Sequence, residues 1–493
     1  MIRACTAGTI RALEERAMSA LGDDVLMQRA AGGLAAVLTE ELRRRSGTVY
    51  GAPVLILVGP GNNGGDALFA GARLAARGAD VRAVRCLGRP HDRGLAALRA
   101  AGGRLVELAA VLTQDGLLTT APALVVDGVL GIGGRPGLPD DVARLAGALE
   151  TAGWPLVAVD LPSGVATDTG AVPAAAFRAV RTVTFGERKP CHLLEPARGR
   201  CGAVELVDIG LDVGSLRDTD PWLRELEEDD LARAWPYPDA LSDKYSRGVL
   251  GIDAGSDAYP GAGVLSTYGA VHAGAGMVRF LGAGTPADII GAQLPNVVFS
   301  PGRVQAHLLG SGWGERADGA DVLASALDTG LPTLVDADGL RHLPEHVPSS
   351  WLLTPHAGEL ARLLGEDRGW VTEDPVRAVR AGVRRTGATV LLKGASQLVA
   401  TPDRDEVGVA LPGPAWTAQA GSGDVLGGIC GTLLAAGRTA WEAGLLGASV
   451  QAYTARAHPG PLPPHELARR LPDAIAQLER RARALNGSRT ASG

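Results

Sequence analysis

A glycine- and asparagine-rich segment in the first half of the chain could hold an anionic group. It reads GPGNNGGD over residues 59–66 and follows an apolar run at 54–58 that predicts a buried strand. Glycine and asparagine permit left-handed backbone, so several amide N–H groups and the next helix N-terminus can converge on one anion. The segment satisfies G-x-G-x-x-G, but the next strand ends on Arg85 and Cys86 and lacks an acid for a ribose hydroxyl, which disfavours an ordinary NAD-dependent dehydrogenase. A glycine turn in which Asn63 and Asp66 cap a helix is the purely structural alternative.

Two further predicted strand ends carry oxygen ligands. VVDGVLGIG places Asp127 at the carboxyl end of one strand, and VAVDLPSG places Asp160 at another, with Ser163 just beyond it. In an open α/β sheet such ends line one crevice. Asn63, Asp127 and Ser163 could then supply oxygens to a weakly charged cation, while Asp160 is free for acid–base work. Any one of these aspartates could instead cap a turn, but several together indicate a site.

A GSGD loop at residues 421–424 predicts an anion hole next to a base. Its amides precede a long Gly/Ala-rich helix, so they can stabilise the charge that develops on a phosphoryl group. Asp424 is placed to take a proton from a hydroxyl group. An N-capped turn is the structural alternative. The chain has no G-x-x-x-x-G-K-[ST] motif, which excludes a P-loop NTPase.

Three more loops in the second half follow predicted strands. KGASQ at 393–397 offers the Lys393 ammonium to the phosphates of a nucleoside diphosphate. TPHAGE at 354–359 puts His356 and Glu359 three residues apart as a helix begins, so both face one way. No third ligand is near in sequence, so we expect contact with substrate or a hydrated magnesium ion and not a zinc site. The loop GSGWG at 310–314 permits close approach of a ligand.

Alternating strand-like and helical patterns must position these loops. In the first half, residues 9–45 predict two amphipathic helices that cover the sheet edge or form an oligomer contact, and a mostly parallel, doubly wound sheet follows. A charged, proline-containing stretch at 211–244 interrupts the pattern, which then restarts as a second α/β domain. We therefore predict domains at 1–220 and 221–485, followed by a disordered tail from 486. The predicted strands are 54–58, 81–86, 124–127, 156–160, 180–185, 249–253, 277–281, 306–310, 333–336, 351–353 and 390–393.

Composition agrees with a globular protein of two or three domains. The 493 residues are 46% hydrophobic and 21% charged, which excludes wholesale disorder. A net charge of −6 offers no footprint for a nucleic-acid backbone. Five scattered cysteines with no C-x-x-C pair indicate a reducing compartment. Early glutamates disfavour a secretory signal, and no stretch is apolar enough to be a membrane span, so we expect a cytoplasmic protein.

Four segments in order, GPGNNGGD, VDGVLGIG, AVDLPSGVATDTG and TVTFGERKP, resemble the NAD(P)HX epimerases over about residues 9–211. The resemblance implies a Rossmann-like domain that interconverts the R and S hydrates at C6, with Asp160 as acid–base residue and Lys189 at the family's lysine. It implies potassium on Asn63, Asp127 and Ser163. Ala67 replaces a family glycine, which predicts a methyl group that narrows the pocket. The residues implied to contact the hydrated nucleotide are Asn62, Asn63, Gly64, Gly65, Asp66, Gly131, Ile132, Gly133 and Asp160.

Seven segments of the second half, from YSRGVLGIDAGSDAYPGA to AGSGDVLGGICGTLLAAG, resemble the ADP-dependent NAD(P)HX dehydratases of the ribokinase-like superfamily. The resemblance implies that Asp424 activates the C6 hydroxyl for attack on the terminal phosphoryl group of ADP, with Mg²⁺ present. Gly263 stands where the family more often has proline, which predicts a looser loop. Ala262, Gly312, His356 and Asp424 are implied to face the hydrated nucleotide. The residues implied to hold ADP are Lys393, Gly394, Ala395, Ser396, Gln397, Gly421, Ser422 and Gly423.

The two resemblances together predict a bifunctional repair enzyme that returns R- and S-NAD(P)HX to NAD(P)H with release of AMP and phosphate. They also imply a homo-oligomer with small-molecule substrates and neither nucleic-acid nor membrane partners. Two alternatives stay open from the residues. One is a small-molecule kinase of the hydroxymethylpyrimidine or hydroxyethylthiazole type, which shares the GSGD anion hole. The other is a non-catalytic binding scaffold, against which the intact Asp160 and Asp424 argue.

Overall fold

A computed structural model describes residues 1–113, 116–117, 121–215 and 222–490. The chain divides into two compact units. The first unit is Arg3–Trp222, and the second comprises Met1–Ile2 and the chain from Leu223 onward. No described helix combines the length and apolar character needed to cross a membrane.

The first unit is built on a seven-stranded sheet whose described strands all run parallel, in the order β10-β9-β8-β7-β2-β3-β4. The chain leaves β2 in one direction through β3 and β4 and returns on its other side through β7 to β10. The switch point between β2 and β7 therefore opens a crevice at the carboxyl ends of these strands. The elements are β1 (Ile2–Cys5), α1 (Ala7–Leu21), α2 (Asp23–Ser46), β2 (Pro53–Val58), α3 (Asn62–Ala75), β3 (Asp80–Arg85), α4 (Asp92–Ala100), β4 (Arg104–Glu107), β5 (Leu112–Thr113), β6 (Gly116–Leu117), β7 (Leu124–Gly128), α5 (Asp140–Ala152), β8 (Leu156–Val159), β9 (Arg181–Phe185), α6 (Arg198–Cys201) and β10 (Ala203–Val207).

Helices cover both faces of this sheet, as a doubly wound fold requires. Alternate residues of β2 separate the two cores, because Ile56 packs with α2 and α3 while Leu57 packs with α5. Helix α2, predicted to cover the sheet edge or form an oligomer contact, packs on a face of the sheet against β9 and the edge strand β10. A Cβ at Gly33 of α2 would come within 2.3 Å of Val207 in β10, so only glycine permits this approach.

The second unit has a sheet in the order β11-β19-β18-β17-β16-β15-β14-β12-β13, parallel except for β18, which is antiparallel to both neighbours. Its faces are also both covered: α15 packs on Val399, and α13 packs on Val390. The mostly parallel α/β architecture predicted for both halves is confirmed. The elements are β11 (Trp222–Glu225), α7 (Glu228–Ala234), β12 (Val249–Asp253), α8 (Pro260–His272), β13 (Met277–Phe280), α9 (Thr285–Gln293), β14 (Ala306–Leu309), α10 (Gly319–Asp328), β15 (Thr333–Val335), β16 (Leu352–Leu353), α11 (Ala357–Leu364), α12 (Arg368–Glu373), α13 (Pro375–Thr386), β17 (Thr389–Leu392), β18 (Leu398–Ala400), β19 (Val407–Val409), α14 (Ser422–Ala435), α15 (Ala440–Ala457) and α16 (Pro464–Thr490).

Two sequence predictions about helix ends are corrected. The tail from 486 is not disordered throughout, because α16 continues to Thr490 and no proline or tight turn follows Leu485 to stop it. Helix α3 begins at Asn62, five residues before its predicted start at 67, so the asparagines and glycines of the loop form its first turn.

Candidate active sites

Asp160 is held in a strained conformation directly after β8. Its φ is 66°, in the left-handed region that a non-glycine residue rarely adopts. The carboxylate accepts hydrogen bonds at Oδ1 from Lys189 Nζ (2.5 Å) and Thr184 Oγ1 (3.0 Å). The side chain is buried apart from a small exposed fraction. Both contacts use Oδ1. Among the described contacts of this side chain none uses Oδ2, so Oδ2 is the oxygen available to a ligand.

The side chain of Lys189 is shielded from solvent and bonded to the Asp160 carboxylate. It is 1% exposed, and its ammonium also donates to Thr184 Oγ1 (2.9 Å) and to the Phe185 carbonyl (3.0 Å). With three acceptors the buried ammonium is fully used, which fixes its position and its charge beside Asp160.

His192 supports the same aspartate through the backbone. Its Nδ1 accepts from Lys189 N (3.0 Å), so Nε2 carries the hydrogen and donates to the Asp160 carbonyl (3.0 Å). Burial and the Lys189 charge lower the pKa of His192 to about 3. The ring is therefore neutral at physiological pH and acts as a fixed brace for the strained residue.

Two more carboxyl groups lie within electrostatic reach of Asp160. Burial and the Asp160 charge raise the pKa of Glu14 on α1, opposed by Lys189 and Arg11. Burial, Asp160 and Glu14 raise the pKa of Asp66 on α3 well above its usual value. The first unit thus gathers three carboxyl groups from different elements within electrostatic reach of one another, and the buried Lys189 ammonium acts on two of them, Asp160 and Glu14.

Glycines bring the start of α3 against the strand ends. A Cβ at Gly59 would lie 2.0 Å from the Val129 carbonyl, and one at Gly64 would lie 2.4 Å from the Gly59 carbonyl. The first turn of the helix therefore opens directly onto the crevice between β2 and β7. Ala67 is fully buried, and a Cβ at Gly128 would come within 2.6 Å of its methyl group. The prediction that this methyl group narrows the pocket is wrong, because it packs against the end of β7.

The predicted cation ligands are brought together at the same crevice. Asp127 is completely buried and accepts from Ser163 N (2.7 Å), Ser163 Oγ (2.7 Å) and Val129 N (3.2 Å). Asn63 donates through Nδ2 to the Leu130 carbonyl (3.0 Å), and the Leu130 amide donates to Ser163 Oγ (2.8 Å). Burial raises the pKa of Asp127 to about 6, against the effect of its hydrogen bonds.

The turn at 131–133 is tied to α1. Arg11 donates through Nη2 to the Ile132 carbonyl (2.9 Å), and a Cβ at Gly131 would lie 3.1 Å from Asn63. Residues 131–133 therefore lie next to both α1 and the first turn of α3. The predicted binding residues of these two segments border the same crevice.

In the second unit, Asp424 stands beside a buried ion pair. Lys393 Nζ donates to Asp336 Oδ1 (2.6 Å), and Asp336 also accepts from Thr354 Oγ1 (2.8 Å). Burial and the Asp336 charge raise the pKa of Asp424 to about 6, while Lys393 and a hydrogen bond from Ser311 oppose this rise. Asp424 sits in the first turn of α14, whose N-cap Gly421 has a φ of 89°.

The Lys393 ammonium, which the sequence predicts to seek phosphate, lies in an ion pair in this structure. Its side chain is 17% exposed and directed at Asp336. Burial by itself lowers the pKa of Lys393, but Asp336, Glu359 and Asp424 together raise it. A Cβ at Gly423 would lie 3.3 Å from this ammonium, so the lysine lies directly under the GSGD loop.

His356 and Lys393 bring two predicted loops side by side. They form an isolated parallel bridge, and Lys393 N donates to the Pro355 carbonyl (2.9 Å). His356 caps α11 by accepting at Nδ1 from Gly358 N (3.0 Å), and Nε2 lies 3.3 Å from Glu359 Oε1. The two side chains face one way, as predicted. The described residues contain no cluster of three His, Cys, Asp or Glu side chains arranged for a metal ion.

The predicted substrate residues Ala262 and Gly312 are also adjacent. A Cβ at Gly312, where φ is 66°, would lie 2.5 Å from the Ala262 methyl group. Gly263 does not loosen a loop, contrary to the prediction: it is buried inside α8, and a Cβ there would lie 2.5 Å from the Ala254 carbonyl. Glycine is thus the residue that fits.

A shallow cleft lies beside the GSGD loop. Ser422 lines it, and the Ser422 carbonyl accepts from Gln451 Nε2 (2.8 Å). Its other lining residues are Pro414, Trp416, Thr417, Gln419, Ala455, His458, Gly460, Leu462, Pro464 and Leu467.

Comparisons with known proteins match both units. Residues 23–191 match the family described as YjeF-related protein N-terminus, and residues 250–473 match NAD(P)H-hydrate dehydratase. The bifunctional NAD(P)H-hydrate repair enzyme Nnr of Mycobacterium tuberculosis is 46% identical over 447 residues, which cover 88% of this chain and 89% of the relative. The chain belongs to the bifunctional NAD(P)H-hydrate repair enzymes.

Other members of this repair-enzyme family match over a similar length. The Mycobacterium leprae enzyme is 44% identical over 92% of this chain and 94% of its own. The solved ADP/ATP-dependent NAD(P)H-hydrate dehydratase of Bacillus subtilis, co-crystallised with ATP and Mg²⁺, is 24% identical with a TM-score of 0.48 and covers 51% of this chain. Membership in the repair-enzyme family argues against both alternatives, the small-molecule kinase and the non-catalytic scaffold.

Several residues that border the sites of this repair enzyme were not predicted from the sequence. Asp336 directly follows β15, so the strand-end argument used for Asp127 would have found it. Thr184 lies near the end of β9, but its place at the site could be predicted only if the burial of Lys189, which donates to it, were already known. Glu14 and Arg11 carry no signal in the sequence, because their place depends on how α1 packs.

Proposed function

We propose that the first unit epimerises R- and S-NAD(P)HX and that the second dehydrates the S form with ADP as phosphoryl donor. The observation that supports this assignment best is that each unit has one acid–base aspartate at the ligand-facing end of a parallel sheet, beside a glycine-formed helix N-terminus. The aspartates are Asp160 and Asp424.

In the second unit, Asp424 removes the proton of the C6 hydroxyl group. The resulting oxygen attacks the terminal phosphoryl group of ADP, and AMP leaves. Loss of phosphate from C6 and of a proton from C5 then restores the dihydropyridine ring. The amides of residues 421–423 face the phosphoryl oxygens on which charge develops, and the KGASQ loop holds the diphosphate through its backbone. Lys393 fixes Asp336 and sets the charge around the base.

Mg²⁺ fits this donor set. Asp336, Glu359 and Asp424 surround a single lysine, and Mg²⁺ typically takes one or two carboxylates together with phosphates and water. Glu359 and the ADP phosphates would hold the ion, which neutralises phosphate charge when bound.

Potassium fits the first unit. Asn63, Asp127 and Ser163 offer oxygens only, and buried Asp127 has no cationic side chain as hydrogen-bond partner among the described residues. The ion would neutralise Asp127 and order the turn at 129–131. We expect Asp127→Ala to slow epimerisation and to abolish its dependence on potassium. If both proteins are indifferent to potassium, the assignment is wrong.

Separate epimers test the two activities. S-NADHX with ADP and Mg²⁺ should regain the dihydropyridine absorbance through the second unit alone. R-NADHX should do so only if the first unit also acts. No recovery from S-NADHX with either ADP or ATP, in folded protein, would contradict the dehydratase assignment. The cytoplasmic location and the homo-oligomer remain predictions.

A further inference from the structure

The carboxyl group of Asp66 is buried with one unsatisfied oxygen. It is 8% exposed, and its Oδ1 has no hydrogen-bond partner among the residues that the structure describes. It lies in the second turn of the fourteen-residue helix α3, which opens onto the crevice of the first unit. A buried unsatisfied polar oxygen costs about 1–3 kcal/mol, and an unpaired buried charge costs more, so the fold retains this group at the expense of stability.

The neighbours of Asp66 offer it no positive charge. The groups that act on it electrostatically are Asp160 and Glu14, both acidic, and both raise its pKa. The ammonium of Lys189 is bonded to Asp160, Thr184 and the Phe185 carbonyl and does not act on Asp66. Lys189 and Arg11 oppose the rise in the pKa of Glu14, and Lys189 is bonded to Asp160, whereas no cation acts on Asp66 among the described residues. Of the three neighbouring carboxyl groups, Asp66 is therefore the one that keeps its proton most readily.

We propose that Asp66 is the general acid of the epimerase site, a neutral carboxylic acid that acts opposite the ionised, Lys189-bound Asp160. This inference rests on the epimerase function proposed above and assigns a second catalytic residue to it. Asp160 is bonded to the Lys189 ammonium, whereas Asp66 supplies the exchangeable proton. Such a pair of carboxyl groups in unequal environments is the usual arrangement for acid and base roles in one site.

The reaction balances with these two groups and water. Asp66 gives its proton to the C6 oxygen, the C6–O bond breaks, and water leaves with the bonding electrons. The lone pair of the ring nitrogen forms a double bond to C6, which becomes planar. Water then adds to the opposite face, the double-bond electrons return to nitrogen, and the surplus proton passes to Asp160 Oδ2. The reverse reaction exchanges the roles, and solvent restores the starting protonation. No oxidant or reductant is consumed.

The test compares Asp66→Asn with wild type on separate epimers. We expect the rate of NADH recovery from R-NADHX, with ADP, Mg²⁺ and K⁺, to fall at least 100-fold in Asp66→Asn, while recovery from S-NADHX is unchanged. In wild type and H₂¹⁸O, each inversion should place one labelled oxygen at C6. An R-NADHX rate within threefold of wild type would overturn the assignment of Asp66, and inversion without label would overturn the C–O cleavage step.

A matched variant separates catalysis from folding. Glu41→Gln changes another buried acid of the same unit, one that pairs with Arg44 and Arg45 and lies outside the site. We expect it to lower the melting temperature but not the rate from R-NADHX. Asp66→Asn should melt at or above the wild-type temperature, because it removes an uncompensated acid. A lower melting temperature for Asp66→Asn would indicate a structural role instead. Failure of wild type itself to convert R-NADHX would overturn the epimerase function and this inference with it.

Discussion

At the residue scale, the two units use buried lysines in different ways. In the first unit Lys189 pairs with Asp160, the proposed catalytic group itself, at 2.5 Å. In the second unit Lys393 pairs with Asp336 at 2.6 Å and leaves Asp424 beside the pair without a direct ionic contact. The first arrangement pairs its aspartate directly with a cation, whereas the second leaves its aspartate with a pKa of about 6, which suits a general base near neutrality.

The pH dependence of dehydration follows from this arrangement. Asp424 must be ionised to take a proton, and burial together with Asp336 raises its pKa to about 6. We therefore expect the rate with S-NADHX to be constant above neutrality and to fall tenfold per pH unit below about pH 6. Lys393→Met should move this limb to higher pH, because the lysine charge lowers the pKa of Asp424. A limb near pH 4 in wild type would contradict the role of Asp424.

A stability prediction concerns Lys189. Its removal leaves the Asp160 carboxylate buried without a cation, which typically costs about 3–5 kcal/mol. We expect Lys189→Met to lose hydrogen-exchange protection in peptides of the first unit and to keep it in peptides of the second. The double variant Asp160→Asn/Lys189→Met should recover most of the protection, since no charge is then left unpaired. Equal loss in the single and double variants would show that the ion pair is not the cause.

At the element scale, glycines set how closely the site-bearing helices approach. Helix α14, which carries Asp424, crosses α8, which carries Ala262, with backbone in contact with backbone. A Cβ at Gly428 would lie 2.1 Å from the Ser266 carbonyl, and one at Gly269 would lie 2.3 Å from the Val425 carbonyl. This contact fixes the distance between the proposed base and the substrate loop.

Two neighbouring glycines of α14 give a matched test of this packing. Gly428→Ala forces the helices apart and should destabilise the second unit by about 1–3 kcal/mol, with a loss of dehydration and no change in epimerisation. Gly427→Ala should be tolerated, because a Cβ there meets Leu308 at an ordinary 3.4 Å. Melting curves and S-NADHX rates of both variants check this expectation. A comparable loss in Gly427→Ala would show that the effect is general helix packing.

Elements also explain what the sequence could and could not predict. Asp127, Asp160 and Ser163 were predictable as neighbours, because strand ends in a parallel sheet meet at one edge. Glu14 was not, since its position near Asp160 depends on the packing of α1, which no local pattern encodes. Lys393 is predicted as a phosphate ligand from its loop, but its ion pair with Asp336, which follows another strand, has no local signal in the sequence. Local signals thus place residues on elements, while the partners of charged groups are decided by tertiary contacts.

At the scale of the whole molecule, the chain carries two catalytic units, one for epimerisation and one for dehydration. Each has its own sheet, its own core and its own proposed acid–base aspartate. Dehydration of the S form draws on the pool that epimerisation refills, so the chain as a whole can clear both epimers.

The measurement that tests this claim most directly supplies pure R-NADHX with Mg²⁺ and K⁺ to Asp424→Asn and follows the S form by chromatography, then adds ADP. We predict that the S form appears at the wild-type rate, because Asp424 serves only the second unit, and that the dihydropyridine absorbance does not return. Asp160→Asn should give the opposite result: no S form from R-NADHX, but normal recovery when S-NADHX is supplied. Recovery of NADH by Asp424→Asn, or loss of both activities in either folded variant, would contradict the account.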